Sequence, residues 1–278
     1  MAIKLIEDEN ILSKDQLMIK SVFYILFCLT LVTAGACKKR KARDKSAEIA
    51  QQNALAENIS NDIQYMTDEA VSGAQSFEAF YGECVTLTYD TSDVSDTITI
   101  DYGTAGCLCQ DGKRRKGKVI ITFEGSYFFV GNLITTVTQN YSVNGNLVEF
   151  HKTSKRITQS ETKIQIESSI TFLDNGTISW NSDKSRTQIA GSNTSFILAD
   201  DEFRVIGSAN GTTLDGDDFD ITIKTPLTVQ LGCRWIKSGK LTLTSTAFTK
   251  EAEVDYGSGQ CDNKAQVTYA GKTTDLNL

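Results

Sequence analysis

Leu133-Ile-Thr-Thr-Val-Thr138, Val143-Asn-Gly-Asn146 and the run from Leu147 to Thr158 decide the fold. Apolar and polar residues take turns in the flanking runs, so successive side chains of an extended chain fall on opposite faces, one buried and one wet. Between them Asn144-Gly145 supplies two residues that tolerate positive φ, the signature of a tight hairpin.

The same pattern extends both ways. Upstream, Cys84-Val-Thr-Leu-Thr-Tyr-Asp90, Thr97-Ile-Thr-Ile100 and Lys118-Val-Ile-Ile-Thr-Phe123 read as strands. Downstream, further strands are predicted over residues 163–173, 177–180, 196–208, 220–223, 241–244 and 265–269. Asp174-Asn175-Gly176, Ser238-Gly239-Lys240 and Ala270-Gly271-Lys272 read as further hairpin turns. With one proline, 20 glycines and no helix-length crossover, residues 80–278 are expected to form an all-β antiparallel meander: a long sheet, a sandwich or an open barrel. Ahead of it, Ile49, Leu55, Ile59, Ile63, Met66 and Val71 recur at helical intervals, which predicts one helical segment over residues 46–75. That helix either packs on the β-body or serves as a spacer.

The N-terminal end carries an export signal. Lys20-Ser21 precedes the apolar run Val22 to Ala36, fifteen residues that end in Ala34-Gly35-Ala36-Cys37. About 20 apolar residues are needed to cross a bilayer, so the run suits a signal peptide over residues 1–36 better than a permanent span. The small residues before Cys37 resemble the lipobox of bacterial lipoproteins, whose cysteine receives acyl chains such as palmitate after cleavage. Glu7, Asp8 and Glu9 are out of place in a secretory leader, whereas Met18-Ile-Lys20 opens a conventional one, so translation is expected to begin at Met18. Residues 37–45 then form a basic tether.

Charge is divided along the chain. The total is -7; residues 1–37 account for -1 and residues 38–45 for +5, which leaves -11 on residues 46–278. A body this acidic is repelled by nucleic acid, whose binding rests on cations meeting phosphates. No nucleic-acid partner is expected, and the partners that remain are the bilayer, through the acyl anchor, and an envelope glycan or protein.

Once Cys28 leaves with the signal and Cys37 takes lipid, Cys84, Cys107, Cys109, Cys233 and Cys261 remain. An exported chain meets an oxidising compartment, so disulfides are the natural use of four of them. Thr97-Ile-Thr-Ile-Asp-Tyr-Gly-Thr-Ala-Gly-Cys107 aligns without gaps on Glu251-Ala-Glu-Val-Asp-Tyr-Gly-Ser-Gly-Gln-Cys261, each with a cysteine upstream. The related ends, residues 84–123 and 233–269, therefore suggest Cys84 with Cys107 and Cys233 with Cys261. Cys109 is then free, or takes the place of Cys107.

Asp101-Tyr-Gly, the stretch from Asp111 to Phe123, Tyr141-Ser-Val-Asn-Gly-Asn-Leu-Val-Glu149 and Asp255-Tyr-Gly-Ser-Gly-Gln-Cys-Asp-Asn263 together resemble a family of Bacteroidota lipoproteins of unknown function. The likeness spans residues 65–278 and implies a β-rich fold and an envelope position, in the outer membrane. It implies no activity. Phe150 and His151 stand where the family has glycine, and the basic run after Cys37 leaves periplasm-facing and surface-facing positions both open.

The chemistry-bearing residues are sparse. His151 is the sole histidine, which excludes a histidine-rich metal centre, and its place in the alternation reads as a strand surface rather than a triad. Asp215, Asp217, Asp218 and Asp220 offer four carboxylates in six residues, a weak calcium candidate that lacks the twelve-residue loop pattern and reads better as a solvated hairpin tip. Lys113-Arg-Arg-Lys116 and Lys118 read as a solvated basic turn, and Tyr127, Phe128, Phe129, Tyr141, Trp180 and Trp235 as core or as a sugar-stacking face. No cofactor and no catalytic residue is expected. The expected function is a membrane-anchored, non-catalytic binding or structural module, with a lipocalin-like carrier of an apolar ligand and a glycoside hydrolase using paired carboxylates as alternatives. If Cys37 is the acylated residue, Cys37→Ser abolishes metabolic labelling with a fatty-acid probe; persistent labelling sinks the assignment.

Overall fold

The computed structural model describes residues 44–278 apart from residues 73–76, 78–80, 92–94, 174–175 and 195–196. The signal segment, Cys37, the basic run to Arg43 and the turn residues Asp174 and Asn175 lie outside the described residues. Residues 44–278 form one compact unit.

Its elements are helix α1 (Lys45–Ser72) and strands β1 (Thr86–Asp90), β2 (Asp96–Asp101), β3 (Cys107–Leu108), β4 (Arg114–Phe123), β5 (Leu133–Val143), β6 (Asn146–Arg156), β7 (Glu161–Phe172), β8 (Gly176–Ala190), β9 (Glu202–Thr212), β10 (Asp218–Gln230), β11 (Ser238–Ser245), β12 (Ala252–Ser258), β13 (Lys264–Tyr269) and β14 (Lys272–Asn277). All fourteen strands belong to one antiparallel sheet ordered as in the sequence, with β3 as a short side pair on β4. Of the three expected architectures the long sheet is the one found, and it does not close into a barrel.

Turn chemistry fixes the register. Asn144 and Gly145 both have positive φ (52° and 88°), as do Ala270 and Gly271 (50° and 80°), so β5–β6 and β13–β14 are two-residue hairpins. The third turn is corrected: Ser238-Gly239-Lys240 lies inside β11, not between strands. Gly239 has φ 109° and marks a register shift, and a Cβ there would stand 2.5 Å from the Pro226 carbonyl oxygen. Glycine is required by close approach at a bulge rather than by a turn.

Laid flat at about 4.8 Å per strand, the thirteen strands of the main path would be about 58 Å wide, against about 10–12 Å for a helix. Helix α1 nevertheless touches both edges, accepting at the Ala70 carbonyl from the Tyr89 hydroxyl of β1 (2.7 Å) and donating from Gln51 to the Asn277 carbonyl of β14 (3.4 Å). Gln51 is also the one exposed residue among the described side chains of α1. The sheet therefore curls around the helix, which fills its inner face as a plug about 42 Å long.

Asp44 starts the helix, its carboxylate accepting from the Ala47 amide and the Ser46 hydroxyl. The Ser46 hydroxyl, followed by the bonds from Thr274 and Ala47 and the charge of Lys272, outweighs burial and holds this carboxyl below its ordinary value. Ile49, Ile63, Met66 and Ala70 join the core, with Ile100, Val119, Ile121, Tyr141 and Leu243 from the sheet.

The two Asp-Tyr-Gly units are one device used twice. Asp101 Oδ1 accepts from the Gly103 amide and Asp255 Oδ1 from the Gly257 amide, both at 2.8 Å, and each pairs with a lysine directly opposite on a neighbouring strand, Lys118 on β4 and Lys240 on β11. Burial pushes both carboxyls up, but the glycine amide and the lysine outweigh it and leave both below their ordinary value. Tyr102 and Tyr256 point inward and are buried. Nearby, the pairs suggested by the repeat stand at disulfide distance, Cys84 with Cys107 (Cα–Cα 5.6 Å) and Cys233 with Cys261 (5.7 Å). Cys109 is a buried free thiol whose value burial pushes up.

Polar helix residues are matched by cations that the sheet points inward, the barest case being Glu57 with Lys184, both nearly inaccessible. Removing one partner of such a pair leaves a buried charge and costs about 3–5 kcal/mol, whereas replacing both with apolar residues costs far less. Glu57→Ala should lose about that much in urea unfolding and the double variant Glu57→Met with Lys184→Met markedly less; additive losses would show that the pair does not act as a unit.

Candidate functional site

The site begins with strand register. On the inner face, Arg156 (β6), Thr162 (β7), Arg186 (β8) and Val205 (β9) sit opposite one another in a single row. The row one step nearer the middle of the strands holds Ser154, Ile164, Lys184 and Gly207; the next holds Lys152, Ile166, Ser182 and Ala209. Lysine and arginine thus occupy positions where alternation calls for apolar residues.

Most of these cations answer the helix. Arg115 is fully buried and makes ion pairs with Asp62 and Asp111 (2.9 and 2.7 Å), with Lys113 on the same two carboxylates. Burial works against the Arg115 charge, but Asp111 and Asp62 outweigh it and hold the guanidinium charged. The basic stretch from Lys113 is therefore no solvated turn: its inward members clamp the helix. Asn53 accepts from the Trp180 indole (3.1 Å), and the Gln64 side chain accepts from Lys152 while donating to Asp68 (2.8 Å).

At the C-terminal end of the helix the matching stops short. A pocket of about 460 Å³ is lined there by Asp68, Phe128, Arg156, Thr162, Arg186, Gln188, Asp201 and Phe203, among others. Arg186 lies over the Phe203 ring (4.1 Å) and its ion pair with Asp68 is long (3.9 Å). Arg156 lies over Phe128 (5.7 Å) and donates to the Gln159 carbonyl (2.8 Å). The Nε atoms of both arginines are buried and without a hydrogen-bond partner. Burial and the neighbouring Arg186 charge push Arg156 down. Asp68 is held by Tyr127 and Gln64, and Asp201 accepts from Gln188 (2.9 Å). Burial, then the charge of Asp200, pushes Asp201 up. Two guanidiniums with unused donors face two carboxylates in one recess, an arrangement able to take a polar ligand with acceptor groups.

The other candidates lie elsewhere. His151 is exposed on the outer face, in a row with Glu167, Asn181, Asn210 and Asp220 that lines a shallow depression of about 730 Å³. Asp215 and Asp217 pair with Lys45 at the start of the helix, whereas Asp218 bonds Thr212 and Asp220 lies on the outer face. These four do not converge, and no group of acids, histidines and cysteines among the described residues could hold a metal ion. Of the aromatics, Tyr141 and Trp180 are core, Tyr127 is buried against Asp68, and Phe128 and Phe129 are exposed beside the pocket. No helix among the described residues is long and apolar enough to cross a membrane. No family model, curated protein or solved structure matches the chain.

Lys152, two rows in from Arg156, is buried with no carboxylate in ion-pair reach among the described residues. Burial, with Arg186 adding to it against Asp68, pushes it down to about 7 from an ordinary 10.5. Between those values the folded state binds fewer protons than the unfolded chain, so stability rises with pH from about 7 toward 10. Above pH 10 the buried tyrosines, raised by burial, reverse the trend. Urea unfolding should show a gain of about 1–3 kcal/mol between pH 7 and 9, which Lys152→Met flattens; an equal slope in the variant refutes the assignment.

Proposed function

We propose that this chain is an envelope lipoprotein, acylated at Cys37, whose folded body is a non-catalytic binding module with its ligand site in the pocket of Arg156 and Arg186. The observation that carries this reading is the pair of guanidiniums lining one recess, Arg156 with one short hydrogen bond to a carbonyl and Arg186 with one long ion pair. Their remaining donors are able to take a bound acceptor. The likeness to envelope lipoproteins and the two disulfides agree with an exported setting.

A lipocalin-like carrier finds less support, because the helix occupies the inner face and the recesses left between it and the sheet, of about 40 and 370 Å³, are lined with charged side chains such as Glu57 and Lys184 in one and Asp62, Asp111 and Lys113 in the other. A glycoside hydrolase has one observation in its favour: Asp68 and Asp201 share the pocket, with Asp201 raised toward an acid's role. Binding of glycans and phosphorylated head groups, read by thermal shift and titration, tests the main reading. Arg186→Gln should weaken any ligand found at least tenfold with the fold intact; an unchanged affinity moves the site elsewhere. Turnover of aryl glycosides that disappears in Asp201→Asn would establish the second reading instead.

A further inference from the structure

The connections β4–β5, β6–β7 and β8–β9 follow alternate strands of an antiparallel meander and so lie at one end of the sheet. Seven of the twelve large hydrophobic side chains exposed among the described residues are on them or at their margins: Phe128, Phe129, Val130 and Leu133, Ile157, and Ile189 and Ile197. Phe129 is 68% exposed and Phe128, 52% exposed, forms part of the pocket wall. An apolar cluster of this kind around a charged recess marks a contact surface.

Charge decides what the surface fits. Arg156 and Arg186 carry ten N–H donors between them by the chemistry of guanidinium, and few are used. On the outer face at the same end, Lys155 and Lys163 stand directly opposite each other on β6 and β7. Like charges in that relation destabilise a sheet, and an anion between them relieves the repulsion. Asp201, the pocket's second carboxylate, is in place for a cation. Apolar tips, phosphate-binding donors and a carboxylate at one end match a bilayer surface whose head groups carry a phosphate followed by an ammonium.

We propose that this end of the sheet docks on a bilayer, Phe128, Phe129 and Val130 entering the acyl boundary while one zwitterionic phospholipid head group occupies the pocket. Its phosphate sits on Arg156 and Arg186 and its ammonium faces Asp201. The inference rests on the pocket being a ligand site and adds the class of ligand and the surface that presents it.

The test uses the full chain with Cys37→Ser, so that no acyl chain contributes, and a tryptophan reporter placed at Phe129 or, at the opposite end of the sheet, at Leu173. With vesicles of brominated phosphatidylethanolamine, the emission that Phe129→Trp adds to that of the native Trp180 and Trp235 should fall by at least half, whereas the emission that Leu173→Trp adds should not change. Arg156→Gln with Arg186→Gln should raise the half-saturating lipid at least tenfold. Val130→Ser, at an exposed position outside the pocket lining, should also raise it. Equal quenching at both reporters overturns the proposal, as does equal affinity for vesicles of a phosphate-free glycolipid. Water-soluble glycerophosphoethanolamine separates the two levels: its binding in an Arg186-dependent manner without vesicle docking refutes docking and keeps the pocket, and binding of neither removes both. Inorganic phosphate binding as tightly as glycerophosphoethanolamine refutes the head-group assignment.

Discussion

A polar helix buried on nearly every side is the constraint on which the rest of this structure depends. Taking carboxylates out of water costs several kcal/mol each unless hydrogen bonds and opposite charges are waiting. Helix α1 brings Glu57, Asp62 and Asp68 inward together with Asn53 and Gln64. The sheet must therefore present Arg115, Lys184, Lys152 and Arg186 at matching heights, and it must curl so that strands far apart in order reach the same helix. Apolar packing alone would tolerate rotation or sliding of the helix. Matched charges do not, because a shift of one residue leaves several of them unpaired in a dry interior.

The strands were legible wherever one face of the alternation was apolar. The hairpins at Asn144-Gly145 and Ala270-Gly271 were legible because positive φ at two adjacent residues leaves few other uses. What escaped is informative. The reading stopped β8 at Trp180, yet the strand runs to Ala190, because Ser182, Lys184 and Arg186 occupy its inward positions and erase the alternation. Gly239 misled in the opposite way: a bulge and a turn ask for the same residue, and only the approach of Pro226 tells them apart.

The site was barely visible for the same reason. Arg156 and Arg186 are 30 residues apart and meet only through the register of β6, β7 and β8, which no local motif encodes. The acid-rich hairpin around Asp215 drew attention by density, although two of its members merely hold Lys45. A usable signal did exist: cations at inward strand positions are costly, so a strand such as β8 that carries them must face either an acidic element or a ligand. The helix accounts for Lys184 and only partly for Arg186.

The order of the chain has a consequence for how this molecule is made. The helix leaves the ribosome first, yet Lys45 waits for Asp215, 170 residues later, and Gln51 for Asn277, 226 residues later. At about 5–20 residues per second, the remainder of the chain takes on the order of 10–50 s to appear. Until Arg115 and Lys184 follow, 53 and 127 residues on, α1 has no partners for Asp62 and Glu57, and an isolated helix gains little stability from its own backbone. Contacts this distant make folding slow in general. The polypeptide thus stays open through much of its synthesis, and the helix is enclosed only when the hairpin β13–β14 arrives.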